Sequence, residues 1–496
     1  MPPSGPCSRM LSNRRTDYQK QHTLVQGRDG FLSFAPIGRF ALTLPPEITS
    51  EIFVYCLPDE EFVCPNASNA PILLTHICRN WRDISLSTQA LWRSLYIDYN
   101  WFGHAGKDKL LCDWLTRAGK MPLSLLIEED PYSYTKKSKI HEDQLRTVLK
   151  KIGHLSPQWQ SIWLCVFPEY FDDLFPVEAE FPQLIKLSVE LANDYVFEPQ
   201  NPRYPRTFPG YPPYVLKDAR SLHEIHFYRA PWMLTIPKTL KIYGSEMINV
   251  SKCIDVLRDA PNLSSCTFFL IPNTSQNIII SPSPLLNLQD LTLSENVYDI
   301  VSPLLVIDLL RHLTLPALKN LALRFKPGFE DGEHRPSADI SELIRIASYS
   351  LCHLEKLTLC FLPTSDTGLL QCLQCFRSIA TLQLQLRTFV DVDDVLTRLT
   401  YDKGFLPRLE SLHLAHASAD SWVRELEECL ASIMDEMLNM LSSRCFAPRY
   451  WHSSCSIANL PIRRFFHLGR NGALHVFCEI RFKVPSIGAY GHEGVV

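Results

Sequence analysis

Two short strings come closest to metal chemistry. His223-Glu224-Ile225-His226 sets two imidazoles around a carboxylate, but its second histidine falls one residue short of H-E-x-x-H. That spacing is what puts both ligands on one helical face, and strand-like residues surround the string here. Cys372-x-x-Cys375 has the spacing of half a zinc site, with Cys352 and His353 as the nearest further ligands. Leu369, Leu370, Leu373 and Phe376 embed it in an apolar stretch, which predicts helix packing instead. Gly103 to Lys107 lacks the spacing and the following Ser or Thr of a phosphate loop, and no G-x-S-x-G elbow occurs. The acid pairs Asp393-Asp394 and Glu427-Glu428 read as solvated charges, and nothing pairs a nucleophile with a base. No catalytic residue, metal or cofactor is expected.

Composition points away from several partner classes. The 49 basic and 53 acidic residues give a net charge of −4, no electrostatic footing for nucleic acid or an anionic membrane. The one compact basic cluster, Lys136, Lys137 and Lys139, sits in a polar stretch. The polar first residues precede no apolar signal core, and no run reaches the ~18 apolar residues of a membrane helix. These features predict a protein of the cytoplasm or nucleus. The 16 cysteines then act mainly as small reduced hydrophobes.

The elements become legible at residues 42–97. Pro46 suits a first helical turn, Ile48, Ile52 and Tyr55 or Cys56 follow at helical spacing, and Pro58 stops the run. After a polar loop from Asp59, Asn69 is a candidate cap for a second helix. Leu73, Ile77, Trp81 and Ile84 would form its single apolar face, with Leu74 and Cys78 beside that stripe. Thr88 is a candidate cap for a third short helix carrying Leu91, Trp92 and Leu95. Such a thin core gains stability from a neighbour or partner.

The strings Leu44-Pro45-x-Glu47-Ile48, Ile52-Phe53 and Cys56-Leu57-Pro58 resemble the opening of an F-box. Ile77-Cys78-Arg79-x-Trp81-Arg82-x-Ile84-x-Leu86, then Thr88 and Leu91-Trp92-x-x-Leu95, resemble its second half. The likeness is to the F-box-like proteins abundant in mushroom-forming (basidiomycete) fungi and covers about a tenth of the chain. The loop between the first two helices is longer than in a compact F-box; loops tolerate insertion cheaply. The resemblance implies docking onto the Skp-type adaptor of a cullin–RING ubiquitin ligase. Leu44, Pro45, Ile48, Ile52, Leu74, Cys78, Trp81 and Trp92 are the residues it assigns to that surface. Trp81 and Trp92 serve either there or in internal packing.

Beyond residue 110 the pattern L-x-x-L-x-L recurs. Copies begin at Leu184, Leu288, Leu318, Leu354, Ile379 and Leu409, with weaker ones at Leu222 and Leu263. Their steps run from 25 residues (263 to 288) to 41 (222 to 263), against about 20–29 in ordinary leucine-rich repeats. Longer steps leave room for helices, such as Leu304 to Leu310 and the stretch with Ile254, Val256 and Leu257. A stripe from Trp422 to Leu441 and the alternation Val476, Cys478, Ile480, Phe482, Val484 predict a helix-plus-strand cap.

The expected organisation is α+β overall: a three-helix F-box-like module followed by an irregular α/β leucine-rich repeat solenoid. Its segments are a poorly ordered extension (1–40), the module (41–97), a linker helix and first strands (98–180), repeats (181–417), a cap (418–485) and a frayed tail (486–496). The expected function is that of a substrate receptor in an SCF-type ligase, gripping the adaptor by the F-box and a target protein by the repeats. The alternative keeps the fold as an interaction scaffold with a drifted F-box and no ligase role.

Overall fold

The leucine strings fold as the inward rows of one sheet. In the computed structural model the strands are β1 (Ser94–Ile97), β2 (Leu123–Glu128), β3 (Trp159–Val166), β4 (Lys186–Leu191), β5 (Glu224–Tyr228), β6 (Ile242–Ile248) and β7 (Ser265–Leu270). There follow β8 (Ser283–Pro284), β9 (Asp290–Asn296), β10 (Leu313–Thr314), β11 (Asn320–Lys326), β12 (Lys356–Cys360), β13 (Thr381–Leu386), β14 (Ser411–Ser418), β15 (Ile462–Leu468) and β16 (Leu474–Arg481). The structure describes residues 44–98, 105–129, 139–167, 170–176, 178–191, 216, 218–228, 236–272, 283–296, 305–326, 354–361, 366–386, 390–402, 404–418, 462–468 and 474–481.

Fourteen strands form one sheet in the order β1-β2-β3-β4-β5-β6-β7-β9-β11-β12-β13-β14-β16-β15. The first twelve are parallel; β16 and β15 close the row antiparallel, and β8 pairs with β10 apart from it. The register aligns the repeats. Leu291 pairs with Leu321, Leu321 with Leu357, Leu357 with Leu382 and Leu382 with Leu412; two places on, Leu293, Leu323, Leu359 and Leu384 form a second row. Leu95, Leu125, Ile162, Leu187 and Ile225 extend the first row back to β1. These side chains are buried, each stabilising the sheet by about 1.5–3 kcal/mol.

The entry to each strand also repeats. The first leucine of a string closes a turn, as in Leu263 N–H to Ala260 O (3.2 Å) and Leu318 N–H to Leu315 O (3.3 Å). The two residues after it share one carbonyl of the preceding repeat. Gln289 and Asp290 both donate to Ser264 O; Lys319 and Asn320 both donate to Gln289 O. Such fixed turns hold the rows in register.

Neighbouring parallel strands follow chain order without reversal, and parallel crossovers are right-handed almost without exception, which puts the described crossover helices on one face. Described connections include the helices Ala105–Ala118, Lys139–Gly153, Val250–Asp259, Leu305–Arg311, Asp366–Cys375 and Val390–Tyr401. Sequence logic sets their ends. Gly119 (φ 61°) stops the first in the left-handed conformation glycine favours. Asn249 Oδ1 accepts from Lys252 N–H at 2.9 Å and caps the helix that Ile254, Val256 and Leu257 predict. Buried Glu295 accepts from Val306 N–H at 2.8 Å and starts the helix Leu305–Arg311.

Two expectations are corrected here. The α+β class, with a repeat solenoid after the module, gives way to an α/β fold: helices alternate with twelve parallel strands of one open sheet. Steps as uneven as 25 to 41 residues insert crossovers of different length between strands of matching register, rather than stacking a uniform unit. The third helix of the module is also absent: Gln89–Trp92 is a 3₁₀ turn, and Leu95 lies in β1. Residues 1–40, Leu304, the stripe Trp422–Leu441, Phe482, Val484 and the tail 486–496 lie outside the described residues. Of the expected cap, the alternating strand is seen as β16.

The chain divides into two compact units. Among described residues, 44–58 and 66–91 form a helical unit, and 59–65 with everything from Trp92 onward form the sheet unit.

Candidate interaction surfaces

In the helical unit the first helix, Pro46–Tyr55, carries Pro46 in its first turn and Glu47 near its positive end. Thr49 and Phe53 are its buried residues, with Phe53 packed edge-on against Trp81 at 4.9 Å between ring centroids. Ile48, Ile52 and Tyr55, at i, i+4 and i+7, are left 49%, 44% and 87% exposed. A stripe of large apolar groups in water at helical spacing is what a protein-docking helix presents.

The second predicted helix is two. Ile72–Ile77 ends at Cys78, whose extended backbone (φ −156°, ψ 169°) starts a new helix, Arg79–Ser87. Cys78 Sγ accepts from Trp81 N–H at 3.4 Å, and Arg82 Nε donates to Thr75 O at 2.7 Å across the break. Counting i, i+4, i+8 through this break fails. Leu73 and Ile77, expected inside, are exposed; Leu74 and Thr75 are buried in their place. Thr88 closes the second of these helices and hydrogen-bonds Ser50 at 3.0 Å.

Of the eight residues assigned to the adaptor surface, Pro45, Ile48 and Ile52 are exposed and Leu44, Cys78 and Trp81 half-buried. Leu74 and Trp92 are corrected: both are buried and offer no open surface. Trp92 belongs to the sheet unit, where it packs edge-on against Trp114 at 4.8 Å under the Arg117 guanidinium. Leu73, Ile77 and Tyr55 are the apolar surface residues that the assignment missed. Only the break at Cys78 rotates the first two outward, and no spacing rule announces it.

The second surface is the face of the sheet opposite the leucine rows. Trp163 of β3 and Tyr228 of β5 stack there with centroids 6.2 Å apart and planes 11° from parallel. Between their strands lies β4, where Ser188 and Glu190 are 3% and 8% exposed. Two rings meeting across one strand need a small residue beneath them, and Ser188 supplies it. Beside this platform runs a chain of charges. Lys186 Nζ lies 3.6 Å from Glu61 and 3.3 Å from Glu224, and Glu224 accepts from His226 at 2.8 Å. Burial raises the Glu224 carboxyl, but the His226 hydrogen bond and the Lys186 ammonium outweigh it and hold the group below its ordinary value. Gly244, the β6 neighbour of His226, leaves room for the imidazole; a Cβ there would collide with Nδ1.

Residues 61–63 strap the free edge of β1. Tyr96 N–H donates to Val63 O at 2.8 Å, Val63 N–H to Ser94 Oγ at 3.1 Å, and Ser94 Oγ–H to Glu61 O at 2.7 Å. Phe62 packs edge-on against Trp163, while Glu61 reaches Ser161 of β3 and Lys186 of β4. The long interhelical loop, expected to be a cheap insertion, is therefore structural: it satisfies an edge that would otherwise invite other strands.

The strings that resembled metal sites are placed elsewhere. His226 and Glu224 share one strand face, whereas His223 precedes the strand. Cys372 is buried and Cys375 exposed on the helix Asp366–Cys375, so the two thiols diverge; Cys352 and His353 lie outside the described residues. Burial pushes the Cys253, Cys266 and Cys372 thiols up, the last to about 12, opposite to what a nucleophilic thiolate needs. Among the described residues no cluster of three ligating side chains could hold a metal, and no helix is long and apolar enough to cross a membrane. The order of the parallel strands never reverses, so they form no switch point of the kind where open α/β sheets place ligand crevices.

Comparison with models of known protein families and with curated proteins finds no match to this chain.

Proposed function

We propose that this chain is a substrate-receptor adaptor of an SCF-type cullin–RING ubiquitin ligase, working in the cytoplasm or nucleus. The helical unit grips a Skp-type adaptor by apolar burial, and the open face of the sheet holds a target protein. Transfer of ubiquitin falls to the partners; this chain raises the effective concentration of target lysines near the loaded conjugating enzyme. The single observation that carries the reading is the stripe Ile48, Ile52 and Tyr55, left exposed while Thr49 and Phe53 fill the interior of the same helix. Ile48 and Ile52 belong to the strings that resemble an F-box, and Tyr55 lies between two of those strings.

The experiment is affinity purification of the full chain with mass spectrometry under proteasome inhibition, beside a variant with Leu44, Pro45 and Ile48 replaced together. Adaptor and cullin are expected with the parent chain and not with the variant. Recovery of other proteins without adaptor or cullin from the parent chain would leave the scaffold reading in its place.

A further inference from the structure

Two crossover helices of the sheet unit, Ala105–Ala118 before β2 and Lys139–Gly153 before β3, enclose a cleft of about 310 Å³. Leu111, Leu115 and Val148 give it an apolar wall. Cys112 and Lys151, one from each helix, also line it, and both are exposed. Lys151 Nζ donates to Cys112 Sγ at 3.8 Å. A thiol sulfur is a weak acceptor, and an ammonium ordinarily turns to a carboxylate or to water. The neighbouring Lys150 does so, pairing with Asp173 at 3.6 Å. Lys151 makes no ion pair among the described residues, although Asp108 and Asp143 line the same cleft; its hydrogen bond goes to sulfur.

A nucleophile pair in an open cleft has a definite chemistry. An exposed thiol that meets a hydroperoxide becomes a sulfenic acid, which condenses with a nearby nucleophile, either a second thiol or a nitrogen. No second cysteine lines the cleft; an amine does. The flexible lysine stem lets Nζ close the remaining gap to sulfur.

We infer that Cys112 and Lys151 form a redox modification site, at which a hydroperoxide joins them through a sulfenamide bond. In the first step Cys112 Sγ takes the distal oxygen of the peroxide. An S–O bond forms, the O–O bond breaks, and the thiol proton leaves with the displaced hydroxide as water. In the second step Lys151 Nζ, having released its ammonium proton to solvent, attacks the sulfur. An N–S bond forms, the S–O bond breaks, and the departing hydroxide takes one amine hydrogen as water. Sulfur loses two electrons, the peroxide gains them, and the chain ends two hydrogens lighter. The product closes a loop from 112 to 151 around β2 and staples the two helices, which narrows the unfolded ensemble. The inference does not depend on the ligase reading.

The test uses the full chain at neutral pH, with hydrogen peroxide raised until dimedone labels the exposed Cys375. Peptide mass spectrometry is expected to find the Cys112 and Lys151 peptides joined, their combined mass two hydrogens below the sum. Dithiothreitol should release them. Lys151→Arg keeps the charge but removes the amine, so it should abolish the link and leave Cys112 open to dimedone. Cys112→Ser should abolish the link and the dimedone label at that position together. The linked parent chain should unfold at higher urea than its reduced form, and peroxide should give Lys151→Arg no such shift. Absence of the joined peptides from the parent chain would overturn the inference. So would an equal yield of Cys112 linked to other lysines in Lys151→Arg, or a urea midpoint that the link leaves unmoved.

Discussion

Replacing Ile48 and Ile52 together by alanine removes the two exposed aliphatic groups of the first helix without touching its interior. Their exposures, 49% and 44%, amount to nearly one whole isoleucine side chain in water. Burying one such side chain fully contributes about 1.5–3 kcal/mol, so the pair should account for roughly a 10- to 100-fold change in adaptor affinity. Alanine favours the helix more than isoleucine does, and Phe53 still packs on Trp81, so the unit should stay folded. The assay is biolayer interferometry of the full chain against purified Skp-type adaptor, with circular dichroism confirming unchanged helix content. Leu74→Ala is the informative contrast: that side chain is 4% exposed, so truncation should cost about 2–5 kcal/mol of stability rather than remove a contact. An unchanged dissociation constant for the double variant, with the parent chain binding, would refute the assignment of the stripe to the adaptor.

Three further outcomes follow from the sheet unit. Gly244→Ala drives a methyl into the His226 ring and should destabilise the unit by about 1–3 kcal/mol, seen as a lower urea midpoint. Glu224 titrates below its ordinary value in the folded chain, so its contribution is complete above about pH 4.5 and is lost as pH falls through the lower folded value; Glu224→Gln should flatten that part of the acid limb of stability. Glu295→Ala leaves the buried Val306 N–H without its carboxylate acceptor, costing about 1–3 kcal/mol and speeding hydrogen exchange over Leu305–Arg311.

Much of the sheet can be read from the sequence because its period is local. In Leu318-Lys319-Asn320-Leu321-Ala322-Leu323 the inward places are spaced by two once the strand begins, and the register of β9, β11, β12, β13 and β14 reproduces that spacing strand after strand. An α+β class supposes that helices and strands segregate, whereas crossover helices such as Val250–Asp259 interleave with the strands. In the helical unit, Ile48 and Ile52 were legible as surface through the resemblance, while Leu74 was misplaced because the chain turns extended at Cys78 and restarts the helical count. Trp163, Tyr228 and Glu61 carry almost no such local signal. They meet across three strands and a strap far apart in sequence, and the only local hint was an aromatic at outward positions where most strings carry Ser, Thr, Gln or Asn.

The strap at 61–63 bears on how this protein can be cut. Its residues are made between two helices of one unit, yet their hydrogen bonds belong to the other. A fragment beginning at Trp92 would present β1 with a bare backbone edge, an invitation to pair with its own copies. Conversely, the helices expressed alone would trail Phe62 and Val63, both buried in the full chain, as a greasy loop. The two parts are interlaced in the order of synthesis, so swapping one front end for another, as tandem domains permit, would here require grafting the strap as well.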